Sequence, residues 1–277
     1  MTKIVVTGGR GMLGTDLALE LRRAGFEPVP LDLPEFNLCD PEQLRRAVAD
    51  ADAVINCAAY TNVDKAESEP ALAAAVNAAA PGELGRLAAA AGKYVLHIST
   101  DFVFDGSGDR PWRETDTPAP LSVYGATKLD GEHTLAASGC RHAVVRVQWT
   151  YGGNGNHFIK KLLERAKAGG DIKMVDDQVG APTWTRDVSR ALVKLLKGQT
   201  AGLYHYAAAG YASRLDVAAF VLRELGLERR LLPCQTADFP APARRPLNSR
   251  FDCTALDTQL GPGFRRPWQE ALREFIQ

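Results

Sequence analysis

The chain has 277 residues, with 33 basic and 33 acidic side chains and a 45% hydrophobic share. That length suits one large domain or two fused ones around a sizeable core, and the composition excludes wholesale disorder and a disulfide-stapled scaffold. A formal charge of zero lacks the electrostatic footprint of a nucleic-acid or membrane-surface binder, so neither partner is expected.

Cys39, Cys57, Cys140, Cys234 and Cys253 are odd in number and widely spaced, without a CxxC pair, which reads as free thiols in a reducing compartment. The apolar run at the start is too short for a signal peptide, and no window approaches the ~20 apolar residues of a membrane span. A soluble, cytoplasmic protein is expected.

Ile4-Val5-Val6 reads as a first strand, followed by glycines and a helix through Asp16–Arg22 that Gly25 ends. Pro28–Asp32 reads as a second strand that its prolines weaken. A helix over Pro41–Ala49 has Asp40 as N-cap and Pro41 at its first position. Ala53–Asn56 is a third strand, Pro70 to Ala91 an alanine-rich helix, and Tyr94–Ser99 a fourth strand. A helix from Ser122 to about Ala137 precedes a fifth strand at Ala143–Val147. Strands alternating with helices imply parallel βαβ units with helices on both faces. Beyond Trp149 the pattern is less regular. Helices are expected at Phe158–Ala168, Arg186–Leu196, Ser213–Leu225 and Pro267–Gln277, and a strand at Leu203–Tyr206. The four prolines between Pro233 and Pro246 predict mostly loop.

Gly8, Gly11 and Gly14 form a GxxGxxG pattern between the first strand and the first helix. Without a Cβ such a turn can be tight and its backbone can approach a pyrophosphate, while the helix N-terminus beyond offers free N–H groups. Asp32 lies 18 residues past Gly14, where a carboxylate would take the ribose hydroxyls of NAD. Arg10, inside the loop, could instead pair with the 2′-phosphate of NADP. The expected cofactor is therefore NADP or NAD.

Tyr124 and Lys128 stand four residues apart, on one face of the expected helix. A fixed cation beside a phenol lowers its pKa from about 10 and makes it usable in proton transfer. Ser99-Thr100-Asp101 and Asn56-Cys57-Ala58-Ala59-Tyr60 follow strand ends, where a doubly wound sheet binds its ligands.

Together the glycine loop, Asn56–Ala59, Ser99–Asp101 and Tyr124-x-x-x-Lys128 resemble an extended short-chain dehydrogenase/reductase. Ala59–Glu67, Ser99–Gly106, Arg146–Gly152, Asp177–Thr183 and Arg245–Arg250 narrow the resemblance, over nearly the whole chain, to the dTDP-4-dehydrorhamnose reductase family. The resemblance implies an NAD(P)H-dependent oxidoreductase that reduces the 4-keto group of a dTDP-linked deoxysugar, dTDP-4-dehydro-L-rhamnose, to dTDP-L-rhamnose. Tyr124 would be the acid, Lys128 would bind the nicotinamide ribose, and Thr100 would hold the carbonyl oxygen or the phenol. Gly8, Arg10, Gly11, Met12, Leu13, Gly14 and Asp32 belong to the expected cofactor site. Ala58, Ala59, Tyr60 and Thr61 would line the cofactor as well, with Asn37 and Leu38 near the adenine. Val63, Asp101 and Trp149 would lie beside the deoxysugar, the indole stacking on the pyranose. From its charge alone, Arg245 is expected near the pyrophosphate.

The expected α/β architecture is a Rossmann-type doubly wound parallel sheet with a smaller, discontinuous C-terminal substrate-binding domain. Residues 1–150 plus about 184–206 would bind dinucleotide, and about 151–183 plus 207–277 would bind substrate. Some relatives hold Mg²⁺ at a dimer interface through carboxylates. Asp16 and Glu274 match two of those ligands, but the third position is Arg186, which cannot ligate a cation, so no metal is expected; a homodimer stays open. Two alternatives stand beside this reading. One is a reductase or epimerase of another nucleotide sugar. The other is a non-catalytic regulatory subunit like that of methionine adenosyltransferase.

Overall fold

A computed structural model describes all 277 residues. Strands β1 (Lys3–Thr7), β2 (Glu27–Leu31), β3 (Ala53–Asn56), β4 (Tyr94–Thr100) and β5 (His142–Val147) alternate with helices α1 (Met12–Arg23), α2 (Pro41–Ala49), α3 (Val63–Ala66), α4 (Pro70–Ala74), α5 (Ala80–Ala90) and α6 (Val123–Ala137). A sixth strand, β10 (Gly202–Tyr206), returns beside β5, giving a wholly parallel sheet in the order β2-β1-β3-β4-β5-β10. The strand order reverses between β1 and β3, and the crevice at their carboxyl ends is where such a sheet binds ligands.

The buried, β-branched strands explain why the sheet is covered on both faces. Leu17, Leu21, Val188 and Leu192 pack on one side of it, and Leu44, Val48, Leu84 and Leu135 on the other. Pro28 and Pro30 are tolerated because β2 is an edge strand paired only with β1. Asp40 caps α2 as its sequence predicts, accepting the N–H groups of Glu42 and Gln43. The long alanine-rich helix is interrupted by a π turn at Ala75–Ala79, just before Pro81, which has no N–H to donate back to Asn77.

The rest of the chain forms three short strand pairs and five helices. Strand β6 (Thr150–Tyr151) pairs with β9 (Thr183–Trp184), β7 (Ile172–Val175) with β12 (Leu231–Cys234), and β8 (Val179–Gly180) with β11 (Ala212–Ser213). Helices α7 (Phe158–Ala168), α9 (Arg214–Glu224) and α11 (Trp268–Ile276) contribute Ile159, Leu162, Val217, Val221 and Leu272 to a second core. Helix α8 (Thr185–Gly198) and a further helix α10 (Thr254–Leu260) pack beneath the main sheet, Leu256 and Leu260 joining its core. The proline-rich stretch is mostly loop, as expected, apart from its first residues and a short turn. Pro233 lies inside β12, opposite Met174, because a two-stranded pair leaves an edge that needs no N–H from it. No helix is long and apolar enough to cross a membrane.

Candidate active site

The carboxyl ends of β1, β3, β4 and β5 open into a cleft of about 720 Å³, within the range of small-molecule and cofactor sites. The glycine loop forms part of its wall. Gly8 has φ +67°, and a Cβ on it would fall 2.7 Å from the Ala58 nitrogen; one on Gly14 would fall 2.2 Å from the Gly8 carbonyl. The loop is therefore closed against itself and against the end of β3. Helix α1 starts at a glycine N-cap without a side-chain cap or an acid in its first turn, leaving the first N–H groups unpaired. Gly8, Gly11, Met12, Leu13 and Gly14 all line the cleft. Bare backbone, free donors and no repelling carboxylate in that turn fit a dinucleotide pyrophosphate.

Asp32, Asn37, Leu38, Ala58, Ala59 and Thr61 line the same cleft. The Asp32 carboxylate accepts the N–H groups of Arg10 and Leu33, each at 2.9 Å. The guanidinium of Arg10 turns out of the cleft into a neighbouring depression, bonded to Glu35 at 2.6 Å and to the Leu33 carbonyl. Tyr60 also departs from expectation. Its phenol donates to Glu69 at 2.5 Å and its N–H to Asn77, so the side chain is spent outside the cleft.

Ser122 caps α6 by accepting the Gly125 N–H at 3.2 Å. Gly125 lets the helix dock on the end of β4, since a Cβ there would meet the Phe102 carbonyl at 2.2 Å. This docking brings Tyr124 and Lys128 into the cleft beside Thr100. The Thr100 hydroxyl donates to Asp101 at 3.1 Å and accepts the Phe102 N–H, while Ser249 donates to the other Asp101 oxygen at 2.5 Å. Burial raises the Asp101 carboxyl above its usual range, and those hydrogen bonds partly offset the effect.

Lys128 is 2% exposed. Its ammonium donates to the Ile98 carbonyl at 2.6 Å and lies 3.3 Å from His97 Nε2. Burial lowers its pKa to about 8, opposed by Glu132. The phenol of Tyr124 is pushed up to about 12 by burial, with the Thr100 hydroxyl lowering it and the Asp101 charge raising it. This corrects the expectation that Lys128 depresses the phenol pKa: the ammonium is desolvated and committed to a backbone carbonyl. Tyr124 thus stays protonated across neutral pH and is a donor, not a phenolate. Cys57, in the same wall, is an inert packed thiol, pushed up to about 12 by burial.

Val63, Asp101 and Trp149 also line the cleft. Trp149 has φ +45°, a left-handed conformation uncommon for a bulky residue. One face of its indole is covered by the Arg214 guanidinium at 3.5 Å. Arg245, expected near a pyrophosphate, is outside the cleft lining, its guanidinium bonded to Asp64 at 2.7 Å. Arg214, His97 and Ser249 were missed by sequence reasoning. Nothing in the local pattern separates them from a surface arginine, a strand histidine and a loop serine; only the fold brings them here. Arg186, at the position where a metal carboxylate would be needed, pairs with Glu274 and Glu20, so the residues present do not fit a cation.

The family model described as the RmlD substrate binding domain matches residues 1–277. The chain is 41% identical to the dTDP-4-dehydrorhamnose reductase of Mycolicibacterium smegmatis, over 99% of this chain and 85% of that protein. The chain belongs to the dTDP-4-dehydrorhamnose reductase family. A solved dTDP-4-dehydrorhamnose reductase from Clostridium acetobutylicum superposes with a TM-score of 0.95 at 36% identity, covering 99% of this chain and 98% of that one. The Bacillus anthracis dTDP-4-dehydrorhamnose reductase, solved in complex with NADP, superposes with a TM-score of 0.94 at 32% identity over 100% of this chain and 99% of that one. In this member of the dTDP-4-dehydrorhamnose reductase family the cleft is chemically mixed. Part of its lining is bare backbone with free N–H groups, and part is an indole under a guanidinium; both belong to one cavity.

Proposed function

We propose that the protein reduces the 4-keto group of dTDP-4-dehydro-L-rhamnose to dTDP-L-rhamnose, using NADPH or NADH. The observation that carries this reading is the convergence of Tyr124, Lys128 and Thr100 on the cleft that the bare glycine loop closes. The reduced nicotinamide cofactor, when bound, supplies the hydride. Gly8 and Gly11 to Gly14 would hold its pyrophosphate through backbone N–H groups, Asp32 would accept from the adenosine ribose, and Lys128 would donate to the nicotinamide ribose. Asn37, Leu38, Ala58, Ala59 and Thr61 would form the adenine and cofactor walls.

Tyr124 donates its proton to the C4 oxygen as the alcohol forms, a step worth about 10²–10⁴-fold. Thr100 orients that oxygen and the phenol, and the hydroxyl is itself held by Asp101. Asp101, Val63 and Trp149 flank the deoxysugar. The main sheet and its helices, residues 1–150 plus about 184–206, act as the dinucleotide-binding unit. Residues 151–183 and 207–277 act as the substrate-binding unit, apart from α10, which packs beneath the sheet. Cofactor oxidation by the dTDP-4-keto sugar tests the reading: wild type turns over, and Tyr124→Phe retains cofactor affinity but loses turnover by about 10² or more.

A further inference from the structure

Among the basic side chains of the cleft, Arg214 alone has a guanidinium that makes neither a hydrogen bond nor an ion pair, whereas Lys128 bonds the Ile98 carbonyl. It lies 3.5 Å over the Trp149 ring and 4.7 Å from the Phe158 ring. Desolvation there lowers its pKa to about 9, even with the Asp101 charge opposing. Arg214 is half-buried; a partly desolvated cation without an acceptor is unfavourable, and ring faces recover only part of that cost.

The position is built, not incidental. Strand β11 pairs Ala212 with Gly180 and Ser213 with Val179, and Ser213 with Asp216 forms a capping box that starts α9 at Arg214. Gly180 supports the platform from below. A Cβ there would fall 2.5 Å from the Gln148 side-chain oxygen and 2.8 Å from the Trp149 ring. The strand that carries the start of α9 is thus the partner of the strand against which the indole rests. Stacking fixes the guanidinium plane and leaves its edge donors free, the arrangement suited to bidentate bonding of phosphate oxygens.

We propose that Arg214 is the residue that binds the diphosphate of the nucleotide-linked sugar, a role that rests on the substrate class given above. The cofactor's own pyrophosphate already has the bare backbone donors of the glycine loop. Arg245 is already neutralised by Asp64. Trp149 then acts chiefly as the platform that holds Arg214 flat, so a bound sugar meets the indole and guanidinium together.

Calorimetric binding of dTDP, UDP and thymidine to the NADPH-saturated protein tests this. In wild type, dTDP binds about tenfold or more tighter than thymidine. In Arg214→Gln that advantage falls to about threefold or less, with thymidine and NADPH affinities unchanged; in Arg214→Lys, which keeps the charge without the planar fork, it is intermediate. An unchanged dTDP-to-thymidine ratio in Arg214→Gln overturns the inference, as does a wild type that binds no diphosphate better than the nucleoside. If Arg214→Gln has also lost NADPH binding, the Arg214→Lys ratio decides in the same way. A wild type that prefers UDP, and loses the preference for diphosphate over nucleoside on Arg214→Gln, overturns the dTDP assignment but supports Arg214.

Discussion

Lys128 Nζ lies 3.3 Å from His97 Nε2, at the end of a buried chain that runs back to the glycine strand. Asn56 Oδ1 accepts both the Ala58 N–H and the Thr7 hydroxyl, so its Nδ2 must donate to His97 Nδ1. The proton of the neutral ring is then on Nε2, facing the amine of Lys128. Burial and the neighbouring Lys128 charge hold His97 far below the usual histidine range, so the ring stays neutral. The geometry favours an amine that gives up its proton early.

That has a consequence for rate. With Lys128 near 8 and Tyr124 near 12, the working form of the site carries an ammonium and a phenol. We expect kcat/KM for sugar reduction to fall as pH rises through about 8, towards tenfold per unit, because the ammonium is lost before the phenol ionises. A profile flat to pH 9.5 contradicts the assignment.

The same burial affects stability, with a definite sign. The folded pKa of Lys128, about 8, is below the 10.5 of a free lysine. Between these two values the unfolded chain binds more protons, so stability rises with pH across that window. The buried ammonium costs about 3 kcal/mol at pH 7, relieved by pH 10.5. Urea unfolding of Lys128→Met against wild type reads it: the variant's relative advantage shrinks by about that amount between pH 7 and pH 10.5. A difference independent of pH is incompatible with the shift.

Gly125→Ala would drive a Cβ onto the Phe102 carbonyl and push the start of α6 off β4. Overpacking of this kind costs about 1–3 kcal/mol. Steady-state kinetics should show kcat falling more than KM rises, since Tyr124 and Lys128 ride on the displaced helix. Unchanged kcat in a folded variant would show that the docking does not position them.

Beneath the site, Arg146 and Glu132 form a buried pair at 2.6 Å, 2% and 7% exposed, with Ser99 also donating to the carboxylate. Arg146→Met leaves the buried Glu132 charge without its cation, held only by Ser99, and should cost about 3–5 kcal/mol, while the double change to methionine costs less. Chemical denaturation of wild type, Arg146→Met and the double variant separates these outcomes; a double variant at least as destabilised as Arg146→Met refutes the argument.

Much of this was legible in the sequence because it is local. Asp40 and Pro41 announce α2, glycines announce the loop, and a four-residue spacing places Tyr124 and Lys128 on one face. The doubly wound sheet follows from the alternation of apolar runs and helices. What was not legible is long-range. The 32 residues between Ala181 and Arg214 give no sign that the arginine returns to cover Trp149. Charge alone favours Arg245 as the phosphate-binding residue, yet Asp64, 181 positions away, neutralises it. The spacing of Tyr124 and Lys128 carried no information about the Ile98 carbonyl, which takes the lysine and leaves the phenol unaided.

The most direct test of the central claim is NADPH oxidation by dTDP-4-dehydro-L-rhamnose, followed in wild type and Tyr124→Phe at pH 7. The account predicts turnover in wild type and a loss of about 10² or more in kcat for the variant, with NADPH affinity unchanged. Turnover in Tyr124→Phe at the wild-type rate, or a wild type that binds NADPH and leaves the keto sugar untouched, would contradict it.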